Sequence, residues 1–221
     1  MARRDFKKLV RGSTPAAHLI FPHLQNPNTK FKAEGEFQTS MDLFGQVAAD
    51  FIKKIEEVYE TEYAAECQSE KKTLLRYAGR PYGPALDKDK QPIPGATRFR
   101  FSRKAGGVNG PKSKTPGKSW TTTIPIWSAD LKPVTEPVWG GTLAKVSYTL
   151  VPWFTNALGF GIRLQLEAVQ VFDLVTQGER APSHYGFEVG EGYSPAPAAA
   201  DAGDFDGNDL GEEEGAGSVD F

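Results

Sequence analysis

A mainly β domain carrying one long amphipathic helix, followed by an acidic tail, is the architecture this chain predicts, and three observations point there. Apolar and polar side chains alternate with a period of two in several separate segments, the mark of half-buried strands. One stretch alone, from Ser40 to Gln68, changes to a period of three and four. The chain also carries 23 glycines and 16 prolines in 221 residues, which favours short strands and many loops over a helical bundle. About 180 residues pattern as foldable, enough for one sizeable core.

The first strands are expected at Ala17–Phe21 and Lys30–Phe37, separated by the turn-rich Gln25-Asn26-Pro27-Asn28. The helix follows, with Phe44, Val47, Phe51, Ile55, Val58 and Tyr59 as its apolar stripe, Ser40 as N-cap and Asp42 in its first turn. Its acids and lysines read as a solvated face with i,i+4 pairs. Between residues 78 and 96 the prolines 81, 84, 92 and 94 argue against helix or central strand, and predict a long exposed connection. Thr97–Lys104 alternates again, placing Phe99 and Phe101 inward and Arg98, Arg100 and Ser102 outward. A Gly/Pro/Lys loop covers 106–118. Strands are then expected around Trp120–Ile126 and Lys145–Leu150. In the last strand Ile162, Leu164 and Leu166 share a face, but Val169 and Val171 fall out of phase by one, so a β-bulge is expected near Glu167–Ala168. Five or six antiparallel strands with one helix suggest a small, partly closed barrel of the OB-fold type.

Residues 181–200 lose periodicity and read as a flexible linker; residues 201–221, with eight acids and five glycines, have too little apolar surface to order and read as a disordered tail. The domain proper is therefore expected over 1–180. After Arg180 there is no further Lys or Arg, while ten acids follow. The 26 basic side chains of the chain thus face only 18 acids within residues 1–180, so a basic body is joined to its own polyanion although the whole chain sits at −2.

Other classes find little support. Cys67 is the sole cysteine and His18, His23 and His184 lack zinc spacing, so neither disulfide nor metal nor other cofactor is expected. No apolar run has signal-peptide or membrane length, which fits a cytoplasmic protein. Thr115-Pro116-Gly117-Lys118-Ser119 ends like a phosphate-binding loop, but Lys112 stands where that motif requires glycine. No nucleophile or carboxylate constellation is recognisable either, so an enzyme is not expected; a metal-dependent nuclease is the one catalytic reading left to test.

The densest signal is Lys90–Ala129, forty residues without Asp or Glu that contain Lys90, Arg98, Arg100, Arg103, Lys104, Lys112, Lys114 and Lys118. Cations release counterions from a phosphate backbone and aromatic rings stack on bases, a combination suited to single-stranded nucleic acid. Trp127, Trp139, Trp153 and Phe154 lie beside turns, where each could be either an exposed stacking ring or a packed one. At the other end, Phe221 offers a ring and an α-carboxylate beside Asp220 for a partner to hold, and the tail acids would compete with a nucleic acid for the basic body. Two rival readings use the same residues: an RNA-binding OB module, and a scaffold whose tail is its whole function.

Ala144–Thr176, above all Ser147-Tyr148-Thr149-Leu150-Val151-Pro152 and Leu164-Gln165-Leu166-Glu167, resembles the replication single-stranded DNA-binding proteins of T-odd (T-seven-like) podovirus bacteriophages. The Met1-Ala2-Arg3-Arg4 start and the Asp-Phe terminus are similar too. The resemblance implies an OB-fold homodimer that coats single-stranded DNA in replication, recombination and repair, promotes strand annealing, and recruits the phage DNA polymerase and helicase-primase through its tail. It also implies DNA contacts at Arg3, Trp153 and Phe154 and a partner-binding role for Phe221. Together, the candidate DNA-binding residues are Arg3, Arg98, Arg100, Arg103, Lys104, Lys112, Lys114, Lys118, Trp153 and Phe154, with Asp220 and Phe221 for partners.

Overall fold

The computed structural model describes residues 9–30, 32–111 and 113–175. Arg3, Lys112, Asp220, Phe221, the expected linker and the expected acidic tail lie outside the described residues.

Ten strands and one helix follow one another as β1 (Arg11–Ser13), β2 (Ala17–Asn28), β3 (Glu36–Phe44), α1 (Gly45–Glu70), β4 (Tyr82–Leu86), β5 (Pro92–Lys104), β6 (Gly106–Val108), β7 (Ser119–Thr121), β8 (Ile126–Trp127), β9 (Leu143–Thr155) and β10 (Gly159–Asp173). Five of them form a ring. β2 pairs with β3, β3 with β5, β5 with β10, β10 with β9, and β9 again with β2. This is a small Greek-key barrel of the OB-like kind. Two pairings depart from the expected antiparallel order: within the ring β10 meets β5 in parallel, through Leu164↔Phe101 and Gln165↔Ser102, and outside it β8 joins β10 in parallel at Val169↔Ile126. β9 turns back into β10 as a hairpin, with Thr155 opposite Gly159, so β10 runs antiparallel to β9 and in the direction of β5. β1, β4 and β8 extend the same sheet outward, and β6 with β7 form a separate hairpin.

The barrel interior is filled by the inward set that alternation demands, with Met41, Phe99, Phe101, Val146, Tyr148, Leu150, Leu164 and Leu166 all at most 2% exposed. The expected bulge is present, with a register shift between Leu166 and Ala168 against Tyr148 and Ser147. It restores Val169 and Val171 to the buried face.

Several element boundaries differ from expectation. Ser40 and Asp42 are not helix-capping residues; they lie on β3, where Phe37, Thr39, Met41 and Leu43 are buried in strict alternation. That period of two carries the strand to Phe44, and Gly45, at φ 54°, turns the chain into the helix. The helix accordingly buries Ala48, Phe51, Ile55 and Tyr59, while Phe44 and Val47 remain exposed. Residues 25–28 continue β2 instead of turning, because Leu24 is buried and Gln25 is tied on both sides, donating to the Glu136 carbonyl and accepting from the Val138 amide. The second strand starts only at Glu36. The proline-rich 78–96 region contains β4 and the start of β5; Pro84 is tolerated because β4 is an outer strand with one partner, and Pro92 and Pro94 because they precede Ala96, where the pairing of β5 with β3 begins. Gly117, at φ 73°, closes the β6–β7 hairpin, so no helix follows the Gly-Lys-Ser run. No described helix is long and apolar enough to cross a membrane.

Candidate nucleic-acid interface

Alternation on β3, β5, β9 and β10 sends a second set of side chains to the outside of the barrel. On β3 these are Glu36, Gln38, Ser40 and Asp42, and on β5 Arg98, Arg100, Ser102 and Lys104, paired one to one across the ladder as Asp42↔Arg98, Ser40↔Arg100, Gln38↔Ser102 and Glu36↔Lys104. On β10 the outward residues are Arg163, Gln165 and Glu167. The parallel seam sets Gln165 beside Ser102, and two positions earlier on each strand stand Arg163 and Arg100. From Arg98 to Lys104 this face runs about 20 Å at 3.3 Å per residue.

The cations on it are not equivalent. Arg98 donates two hydrogen bonds to the Asp42 carboxylate, each 2.8 Å, and a third to the Leu86 carbonyl at 3.0 Å. Asp42 holds its pKa above the usual arginine value. Arg103 pairs with Glu167, which also accepts from Thr149 and Gln165. Both guanidinium groups are therefore already engaged inside the protein. Arg100 is exposed, and no carboxylate pairs with it among the described residues. Its guanidinium extends along the sheet, with Nη2 3.9 Å from where a Cβ on Gly83 would stand. Arg163 is likewise without an ion-pair partner among the described residues; its only side-chain hydrogen bond there goes to Gln165 at 3.1 Å. Desolvation of the Arg163 guanidinium lowers its pKa, and the charge of Glu36 only partly offsets this. Two cations without an ion-pair partner among the described residues, one on each side of the seam, make this stretch of the face receptive to anions.

The remaining candidates fall into two groups at opposite ends. Lys104 closes β5, and Lys114 and Lys118 are exposed on the loop of the β6–β7 hairpin that follows it. Trp153 and Phe154 stand near the tip of the β9–β10 hairpin, at the Arg98 end. Phe154 packs partly against the core. Trp153 is half-buried, its indole lying against Gly161, where a Cβ would overlap it, and its ring 5.0 Å from that of Tyr77. Trp127 and Trp139 are exposed. The charge pattern along the chain does not single out Arg163, since Glu167 nearby masks it; only the seam with β5 reveals it. Nor does alternation single out Phe21, which stands 77% exposed where β2 skirts the same face. Among the described residues no group of three or more His, Cys, Asp or Glu could hold a metal ion.

No family model matches the chain, and no curated protein matches it. Solved structures do. The chain is similar to gp2.5, a single-stranded DNA-binding protein encoded by bacteriophage T7, with 18% identity, a TM-score of 0.60, and coverage of 85% of this chain and 100% of that one. It is also similar to the single-stranded DNA-binding protein from bacteriophage Enc34, both in complex with ssDNA (13% identity, TM-score 0.52, covering 74% and 86%) and in a second structure (12%, 0.51, 80% and 90%). At these identities the likeness is one of fold, and it establishes that this chain shares its barrel architecture with those proteins.

Proposed function

We propose that this chain is a non-enzymatic, sequence-independent single-stranded DNA-binding protein. The observation that carries the reading is the outer barrel face on which Arg100 of β5 and Arg163 of β10 stand on either side of the seam, neither with an ion-pair partner among the described residues. Phosphates neutralised there release their counterions, and bases alongside meet ring faces and short polar side chains with no fixed donor pattern. The fold shared with proteins described as binding single-stranded DNA supports the same reading. Lys104, Lys114 and Lys118 extend the positive surface at one end, with Arg3 and Lys112 as further cations, and Trp153 and Phe154 mark the other end. Arg98 and Arg103, already paired with Asp42 and Glu167, shape the face and do not hold phosphate themselves.

The finer reading follows from the resemblance. The protein acts as a homodimer in phage DNA replication, recombination and repair, coats the strand and promotes annealing, while the acidic tail competes with DNA. Asp220 and Phe221 dock on the phage DNA polymerase and helicase-primase.

Titration of tryptophan fluorescence with oligo-dT at a series of salt concentrations tests the core of this. Log K is expected to fall linearly with log salt, by about 0.7 per phosphate neutralised, and Arg100→Ala/Arg163→Ala is expected to bind more weakly with a slope shallower by about 1.4. Salt-insensitive binding, or a double variant indistinguishable from the parent, would refute it. Competition with oligo-U separates DNA from RNA preference at the 2′-hydroxyl.

A further inference from the structure

We propose that Phe21 and the pocket it walls form a nucleobase-binding site, one base deep, beside the Arg100–Arg163 phosphate contact. The inference rests on the single-stranded DNA reading and assigns a base subsite within it.

Phe21 is in an unusual state. Its φ is 47°, in the left-handed region that bulky side chains avoid. Its ring is 77% exposed, so the barrel core gains almost nothing from it. The cause is local. β2 pairs with β3 at Ile20↔Ser40 and next at His23↔Gln38, three steps on β2 against two on β3, so one residue is extra. Leu19 and Leu24 are both buried and cannot slip to absorb it. Leu19 is further pinned from the opposite side, its amide donating to the Thr142 carbonyl at 2.9 Å and its carbonyl accepting from Gly141 at 2.8 Å. The excess is thrown outward at Phe21. A bulge that strains the backbone in order to expose a ring is the arrangement by which sheets re-aim a side chain at a ligand.

What the ring is aimed across is a concavity of about 300 Å³. Its other lining side chains include Gln38 and Ser40 from β3, Ser102 and Arg100 from β5, and Glu36 at one end. Gln38, Ser40 and Ser102 make no side-chain hydrogen bond to other described residues, so an amide and two hydroxyls are available. Each can donate or accept, which lets them meet the edge of any base. Glu36 is the one acid, held by Lys32 at 2.8 Å. Arg100, which has no ion-pair partner among the described residues, attracts phosphate, so a nucleotide enters with its base against Phe21 and its phosphate toward Arg100. A flat, apolar-faced group with a polar edge and an anionic tether satisfies every wall of this pocket.

The test compares full-length chains carrying Phe21→Gly and Phe21→Trp with the parent, reading melting temperature and affinity for oligo-dT and for the same oligonucleotide made abasic. Glycine relieves the left-handed strain, so Phe21→Gly is expected to melt at the parent temperature or above. It should nonetheless bind oligo-dT about 5- to 100-fold more weakly, with an unchanged salt slope because no phosphate contact is lost. Phe21→Trp should retain binding, and abasic DNA should bind the parent and Phe21→Gly alike. Undiminished oligo-dT affinity in Phe21→Gly overturns the site, and so does a lower melting temperature that accompanies weaker binding, since that marks a packing role. A parent that fails to bind oligo-dT at all overturns the single-stranded DNA reading itself, which is a separate outcome.

Discussion

Arg98 and Arg100 are two residues apart on β5 and point the same way, yet their surroundings give them opposite duties. Arg98 is fully engaged by Asp42 and the Leu86 carbonyl, and the Asp42 side chain is only 12% exposed. Removing Arg98 leaves a largely buried carboxylate unpaired, so Arg98→Ala is expected to destabilise the fold by about 1–3 kcal/mol, with a matching drop in melting temperature. Arg100→Ala, which breaks no pair, should stay within about 0.5 kcal/mol of the parent and lose DNA affinity instead. A thermal melt and an oligo-dT titration on each variant check the division; reversed results would mean the wrong arginine carries the contact. Alternation along the chain shows that both side chains leave the core, and it shows no more than that. Their difference lies across the ladder, in Asp42 against Ser40, and it is invisible while Asp42 is assigned to a helix. Arg163 was hidden for the same reason, since its neighbour Arg100 is 63 positions away and only the barrel seam joins them.

At the scale of elements, strongly periodic segments were legible and the junctions between them were not. The bulge at Glu167–Ala168 could be read from a one-residue phase slip because both flanking runs place an apolar residue at every second position. The bulge at Phe21 could not, because prolines and polar residues interrupt the pattern on its C-terminal side. β4 escaped notice for its proline and shortness, yet it is firmly held. Tyr82 donates to Glu56 Oε1 on α1 at 2.9 Å, and Arg80 donates to the same carboxylate at 2.8 Å. Burial first, and then this bond to a carboxylate, pushes the Tyr82 hydroxyl up to about 12. A folded-state pKa raised above the free value means that the latch is intact below about pH 10 and is lost as pH rises toward about 12. Thermal melts from pH 9 to 12 should therefore show a smaller alkaline loss of stability in Tyr82→Phe than in the parent. Parallel curves would mean that the hydroxyl contributes nothing across that range.

For the molecule as a whole, the mainly β architecture with one long helix followed from composition and periodicity, and the ring closure did not, because strand order is a property of contacts between distant segments. Charge is the other global property. The polyanion after Arg180 can oppose the basic face only through space, so a chain ending at Ala200, which drops eight acids, is expected to bind oligo-dT more tightly at low salt. The two affinities should converge as salt screens the competition; curves that coincide at every salt concentration would mean that the tail does not compete with DNA.

The parallel seam between β5 and β10 rests on two register pairs and joins segments more than sixty residues apart in the chain. Contacts of that separation form late in folding, since the closure entropy of the intervening chain must first be overcome. Arg100 and Arg163 stand on either side of that seam. The anion-receptive stretch therefore comes into being only when that seam closes, so binding competence reports on its closure. A DNA strand held by both arginines would staple this join, which has only two register pairs, and would oppose its reopening the more, the more tightly it is held.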